Sequence, residues 1–410
     1  MSNAADVKRV LTAKGLRAFG DGFVSLLLPL YLLELGLGPL QVGILATATL
    51  LGSGLLTLGV GWRAHRHHYR TLLLAAAWLM AATGLGFALL SDFWPLLLIA
   101  VVGTLNPSSG DVSVFLPLEH AVLSQAAADR ERTAVFARYS LVGALVAAFG
   151  SLAASLPAML AAPAGLSARA SMQAMFVLYA ALGLAIAAIY RGLPAARALG
   201  ASPAIAPLRE SKARVYALAA LFSLDAFGGG FVVQSMVALW LYQRFGMSLA
   251  AAGTLFFCTS VLSALSYLVA VRLARRIGLV NTMVFTHLPS SVLLILVPFV
   301  PDLTWVIVLL LVRSALSQMD VPTRSSYVMA IVSPAERPAA ASITSVPRSL
   351  ASAASPLLAG YLLSLSAFGW PLVAAGGLKI VYDVLLLAYF GKVRPPEESA
   401  ATGAGRKPSG

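Results

Sequence analysis

Residues Arg17-Ala-Phe-Gly-Asp-Gly-Phe-Val24 return as Asp225-Ala-Phe-Gly-Gly-Gly-Phe-Val232, 208 positions further on. Both copies lie inside long apolar runs, so the repeated element is a membrane-crossing segment rather than a surface motif. Allowing small slips, the correspondence continues along the chain. His65-Arg66-His67-His68 falls on Arg275-Arg276-Ile277-Gly278, Leu116-Pro117-Leu118-Glu119 on Val321-Pro322-Thr323-Arg324, and Glu131-Arg132 on Glu336-Arg337. The chain reads as one folding unit written twice. Two parallel repeats around a central site are a transporter architecture.

Composition agrees. Of 410 residues, 59% are hydrophobic and 11% charged, against about 25% charged in soluble domains. Mean hydropathy is +0.85. A helix crosses the hydrocarbon core in about 20 residues. Twelve such segments are expected, at about 10–35, 40–62, 71–91, 94–122, 134–156, 171–191, 214–243, 248–272, 281–299, 303–331, 339–365 and 369–391. The runs are continuous and rich in Leu and Ala, which excludes a β-barrel. The lone Cys258 excludes a disulfide framework and a cysteine zinc site. The expected fold is an all-α membrane protein of twelve transmembrane helices in two pseudo-symmetric six-helix bundles. Residues 1–191 form the first bundle, 192–213 a Pro- and Arg-bearing cytoplasmic linker, 214–391 the second bundle, and 392–410 a disordered cytoplasmic tail.

A net charge of +13 raises the question of nucleic acid, and the placement of the charge answers it. With the N-terminus in the cytoplasm, only Arg169 and Arg244 of the 29 Lys and Arg fall outside, and six lie within spans. All others are cytoplasmic, as the positive-inside rule requires. Topology therefore accounts for the basic charge, and no nucleic-acid partner is expected. Both termini are expected in the cytoplasm and the protein in the inner membrane. Tryptophans 62, 78, 94, 240, 305 and 370 mostly fall near span ends, where an interfacial belt explains them.

At this point the sequence resembles the major facilitator superfamily over residues 10–391. The 6+6 layout carries the resemblance, together with the long central loop and the basic turns between spans 2 and 3 and spans 8 and 9. The family's turn, Gly-x-x-x-Asp-Arg-x-Gly-Arg-Arg, stands here as Gly61-Trp-Arg-Ala-His65-Arg66-His67-His68-Tyr69-Arg70, with His in place of Asp and of Gly. Its echo is Arg275-Arg276-Ile277-Gly278. Asn106 occupies the slot of the family's span-4 Arg. Of its span-5 antiporter pattern only Gly143 and Gly150 remain, and Ser355-Pro356-Leu-Leu-Ala-Gly360 echoes that pattern in span 11. The resemblance implies a secondary transporter. In length and short loops it is similar to the bacterial drug/proton antiporter branch.

Six acids and six bases lie within spans: Asp21, Asp111, Glu119, Asp225, Asp320 and Asp383, and Arg17, Arg138, Arg313, Arg324, Arg348 and Lys379. Each costs about 2.5–3.5 kcal/mol at a helix centre, so such residues point inward and serve a function or pair with one another. Arg17/Asp21, Asp320/Arg324 and Lys379/Asp383 have the i,i+4 spacing of same-face pairs. Asp21, Asp111 and Asp225 are the proton-coupling candidates. Arg313, Asn106 and Asp320 are the substrate-binding candidates, with Arg313 suited to an anionic group. Arg17, Glu119 and Arg324 are gating candidates, because Glu119 and Arg324 carry opposite charge at matching positions and could meet between the halves. Lys379/Asp383 reads as a structural pair and His287 as a hydrogen-bonded core residue. His120, beside Glu119, could help move protons. His65, His67 and His68 read as a solvated basic turn rather than a metal site.

No nucleophile–base triad, nucleotide loop or metal motif is present, and no cofactor is expected beyond a proton gradient. The expected function is alternating-access transport of a small molecule by a monomer in the lipid bilayer, as proton-coupled efflux. Uptake by proton symport of a small, anionic metabolite is the second reading. A membrane enzyme or receptor is a distant third.

Overall fold

The computed structural model describes residues 3–63, 68–108, 113–126, 132–161, 163, 165–194, 208, 211–333, 336–391 and 393. The first half comprises α1 (Asn3–Glu34), α2 (Pro39–Arg63), α3 (Tyr69–Leu89), α4 (Phe93–Val102), α5 (Phe115–Ala126), α6 (Arg132–Ala153), α7 (Leu156–Ala161) and α8 (Ala168–Arg191). The second comprises α9 (Lys212–Gly230), α10 (Gln234–Phe245), α11 (Leu249–Ile277), α12 (Leu279–Leu296), α13 (Leu303–Ser317), α14 (Asp320–Ile331), α15 (Arg337–Leu365) and α16 (Trp370–Phe390). Among the described residues, nine helical stretches are long and apolar enough to cross a membrane. The other three expected spans are α4 with α5, α13 with α14, and α15, which carries Arg337 and Arg348. Over the described residues the chain is an all-α membrane protein.

Local chemistry sets the boundaries. The Asp302 carboxylate caps α13 by accepting the Trp305 amide at 3.1 Å. Gly246 ends α10 in the left-handed region, φ +62°, where its amide reaches the carbonyls of Leu241 and Tyr242. The fourth span of each half is interrupted, and α5 and α14 restart 205 positions apart with Pro117 and Pro322 in their first turns. A proline there forfeits only an amide that has no helical partner.

The repeat also governs packing. A Cβ on Gly22 would lie 2.2 Å from the Ala147 carbonyl oxygen, and one on Gly150 would lie 2.3 Å from that of Phe19. These glycines let α1 and α6 touch backbone to backbone. In the second half, a Cβ on Gly230 would lie 2.3 Å from the Ser352 oxygen, while Ser355 donates to the Phe227 carbonyl at 2.6 Å. Gly22 and Gly230, and Gly150 and Ser355, are the matching positions of the repeat. The small residues of spans 5 and 11 therefore serve close helix contact.

Two compact units are present: residues 1–202, 232–260 and 356–369 form one, and 203–231, 261–355 and 370–410 the other. Their boundaries do not coincide with the sequence halves, because α10, the start of α11 and the end of α15 belong to the first unit. Within that unit, a Cβ on Gly43 of α2 would lie 2.9 Å from the Gly360 Cα of α15. One turn on, Thr47 Oγ1 accepts the Leu357 amide at 2.8 Å. Ser235 at the start of α10 donates its amide to the Pro107 carbonyl, in the gap between α4 and α5, at 3.2 Å. The belt expectation needs one correction. Trp78, Trp94, Trp305 and Trp370 are exposed, but Trp240 is fully buried and donates to the Ala367 carbonyl at 3.2 Å. Its indole N–H has a protein acceptor, which frees it from the interface.

Candidate functional site: two buried charge clusters

The first cluster joins four helices of the first unit around Glu119, which is wholly buried on α5. Arg17 of α1 grips it with two parallel bonds, Nη1 to Oε1 at 3.1 Å and Nη2 to Oε2 at 2.8 Å. Tyr139 of α6 donates to Oε2 and Tyr190 of α8 to Oε1, each at 2.5 Å. Each carboxylate oxygen thus receives two donors, the condition under which a buried ion pair offsets its desolvation. The Arg17 guanidinium also lies over the Phe115 ring, 4.4 Å from its centroid.

The second cluster occupies the second unit around Asp225 of α9. Arg324 of α14 donates to Oδ2 at 2.9 Å, and Lys379 of α16 to Oδ1 at 2.7 Å. Asp320, one turn before Arg324, pairs with the same guanidinium. His287 of α12 places Nδ1 3.0 Å from both oxygens of Asp383, and its Nε2 lies 3.4 Å from Lys379 Nζ. All these residues are buried.

The two clusters are the same construction with the charges exchanged. Arg17 matches Asp225 and Glu119 matches Arg324 in the repeat, so each half ties its first span to its fourth by an ion pair of opposite polarity.

Three expectations change in consequence. Arg17 pairs with Glu119, not Asp21, because the bidentate site on α5 outcompetes a one-point contact along α1. Glu119 and Arg324 each find partners inside their own unit, so the matching opposite charges form a pair within each half. Lys379 and Asp383 do not pair with each other; they face Asp225 and His287. The Asp320/Arg324 spacing does produce the expected pair. His287 is a buried, hydrogen-bonded residue, as expected.

The remaining candidates fall elsewhere. Asp21 is buried on α1 one turn beyond Arg17. Asn106 is buried in the gap after α4, where its side-chain oxygen accepts from the Ser108 amide at 3.0 Å and hydroxyl at 2.7 Å. This local turn holds the chain out of helix beside Pro107. Arg313, half-buried on α13, has no hydrogen bond or ion pair among the described residues, and its Nε is shielded from solvent. Asp111, His65 and His67 lie outside the described residues. His120 stacks edge-on against Phe136 and Tyr139, with centroids 4.8 and 5.0 Å away. Tyr139 and Tyr190 were not foreseen as parts of a charge site. An isolated Tyr in an apolar run carries no linear signal beyond a hydroxyl that must find an acceptor.

A repeated helical membrane protein with ion pairs at the heart of each repeat is, as a class, a polytopic transporter rather than an enzyme. The chain belongs to the Major Facilitator Superfamily, whose sequence pattern it matches over residues 10–238 and again over 218–410. It is 24% identical over 420 aligned positions to an uncharacterized membrane protein, YJR124C, of Saccharomyces cerevisiae, covering 94% of each chain. Among solved structures it is similar to a bacterial homolog of the human lysosomal transporter Spinster, with a TM-score of 0.74, 16% identity and coverage of 94% of this chain and 95% of that one. It is also similar to the nucleoside transporter NupG, with a TM-score of 0.71, 12% identity and coverage of 94% and 99%. These structural likenesses show the fold. The protein is thus a multi-pass membrane transporter.

Proposed function

We propose that this transporter is a proton-coupled secondary exporter of a small molecule bearing an anionic group. It works by alternating access in the inner membrane, as a monomer with both termini in the cytoplasm and no cofactor beyond the proton gradient. The observation that carries the substrate class is Arg313. A guanidinium within a span costs several kcal/mol of insertion energy, and here no carboxylate offsets it among the described residues. A bidentate donor fork left open in this way suits a carboxylate or phosphate. Asn106, in the gap of the interrupted fourth span, is proposed as a further polar contact for a substrate within the first unit. Asp21, Asp111 and Asp225 are the carboxylates proposed to take part in proton coupling. The direction rests on likeness to the drug/proton antiporter branch, and the positive-inside asymmetry supports the topology. Uptake by symport uses the same parts in reverse.

The test is a growth screen of an efflux-deficient bacterial host carrying the wild type, Arg313→Ala or Asp21→Asn, across toxic compounds of both charge signs. Export predicts resistance to anionic compounds that is lost in Arg313→Ala and Asp21→Asn. Sensitisation would mean uptake. Resistance confined to cations, or unchanged in Arg313→Ala, would sink the anionic reading.

A further inference from the structure

The imidazole of His287 lies between two carboxylates and an ammonium, and its neighbours fix its protonation. An ionised Asp383 can only accept a hydrogen bond, and against it Nδ1, 3.0 Å from both its oxygens, carries the hydrogen. Lys379 can only donate, so Nε2, 3.4 Å from Nζ, offers its lone pair. These two partners together suit the Nδ1–H tautomer. With its carboxylates ionised, the bonded cluster has three negative charges, on Asp225, Asp320 and Asp383, against two positive charges, on Arg324 and Lys379. A proton on the ring adds a further positive charge beside these bonded groups.

The geometry gives that proton a place and a consequence. Nε2 lies 3.6 Å from Asp225 Oδ1, the same oxygen that Lys379 holds at 2.7 Å. A proton arriving from water on Nε2 turns an acceptor into a donor. Lys379 then loses one acceptor, meets a like charge, and competes with the imidazolium for Oδ1. Arg324 stays on Oδ2, so α9 remains tied to α14 while its tie to α16 is broken. We propose that His287, oriented by Asp383, is a proton-binding site whose occupation displaces Lys379 from Asp225 and so removes the ion pair between α16 and α9. This rests on the proton-coupled reading above and deepens it, assigning the titrating group of the second half to a histidine–carboxylate pair rather than to Asp225 alone.

Every charged or titratable neighbour takes part in the account. From α16 come Lys379, Asp383 and the Tyr382 ring, edge-on at 5.9 Å. From α9 comes Asp225, and from α14 Arg324 with Asp320, acting through Asp225. α13, also packed on α12, gives the imidazole no hydrogen bond, ion pair or ring contact among the described residues. Arg348 of α15, half-buried, has no hydrogen bond or ion pair among the described residues, and its charge acts on Arg324, Asp225 and Asp320 alike.

The experiment is nitrogen NMR of the full-length protein, isotopically labelled at histidine, in lipid nanodiscs between about pH 4.5 and 8.5, a range centred on the ordinary histidine value. The His287 signal is identified by its loss in His287→Gln. The proposal expects an Nδ1–H tautomer at high pH, conversion to imidazolium on acidification, a larger imidazolium fraction at fixed pH in Lys379→Met, and loss of the fixed tautomer in Asp383→Asn. A ring that stays neutral throughout overturns it, as does a titration that Lys379→Met leaves unmoved. Should Lys379→Met or Asp383→Asn fail to fold, the wild-type lysine signal decides: labelled at Nζ, it must shift in step with His287, and a lysine that ignores the histidine titration also overturns the proposal. Failure of the broader reading looks different. Wild-type vesicles in which an imposed pH gradient moves none of the screened compounds would count against proton coupling while the titration stands. Gradient-driven transport intact in His287→Gln would refute this site and leave proton coupling standing.

Discussion

The charge clusters of the two units share a plan and differ in what they leave open. Around Glu119, two guanidinium nitrogens and two phenols fill both carboxylate oxygens, and every donor is a group that stays protonated at physiological pH. Around Asp225, two cations share one carboxylate, and a histidine waits beside the oxygen that Lys379 occupies. One repeat has made a lock of the first-to-fourth-span contact and the other a switch. Duplication supplies two equivalent positions, and exchanging their charges lets one stay rigid while the other responds.

The largest expected effect tests the lock. Glu119→Ala leaves Arg17 buried without its counter-charge and two phenols without an acceptor. Removing one partner of a buried pair costs about 3–5 kcal/mol. The thermal unfolding midpoint in detergent should fall steeply, and the double variant Arg17→Met/Glu119→Leu should recover much of the loss. A single variant as stable as wild type would remove the distinction between lock and switch.

Reversing each pair sharpens the comparison. Arg17→Glu/Glu119→Arg gives the first unit the polarity of the second, and phenol oxygens can accept as well as donate. Most stability should survive. Asp225→Arg/Arg324→Asp instead sets a guanidinium against Lys379, a like-charge contact in a buried site, and should be the less stable by about 2 kcal/mol or more, on the scale of uncompensated buried charge. Unfolding curves of the two double variants decide this. Equal losses would mean that Lys379 does not discriminate between the units.

Much of this was legible in the sequence. The Arg17–Val24 repeat and the apolar runs reveal twelve spans in two copies, because helix length and hydropathy are local properties. The charge exchange between Arg17 and Asp225, and between Glu119 and Arg324, is also visible. What it was for is not: the i,i+4 rule ranks Asp21 as the partner of Arg17, whereas tertiary packing offers a bidentate carboxylate from α5. Lys379 and Asp383 mislead in the same way. A same-face spacing says which groups are neighbours along one helix, and nothing about stronger partners on the next. The tyrosines on Glu119 and the burial of Trp240 depend on helix–helix contacts that no linear pattern encodes.

A smaller effect separates the tyrosines from the ion pair. Tyr190→Phe removes one charge-assisted bond of 2.5 Å but leaves Oε1 with Arg17, so the loss should be about 1.5–3 kcal/mol, the range for hydrogen bonds to charged groups. Tyr139→Phe should resemble it. A loss as great as that of Glu119→Ala, read from the same unfolding curves, would mean that the phenols rather than the guanidinium hold the cluster.

The smallest expected effect lies away from the charges, at the contact between α2 and α15 inside the first unit. Pro356 disturbs the α15 hydrogen-bond ladder, and the Leu357 amide bonds to Thr47 instead of only to its own helix. The Gly43–Gly360 approach brings the two backbones close enough for a hydroxyl to reach. Thr47→Val keeps the shape and removes the acceptor, costing about 1 kcal/mol, which is about fivefold in a two-state population. Spin labels at Leu37 and Ser366, in a Cys258→Ser background, should then show a broader distance distribution than wild type. A charge-neutral change that alters no residue of either cluster should leave the His287 titration unaltered. If it moves that titration, the switch is coupled to the α2–α15 contact, and the first unit is more than a lock.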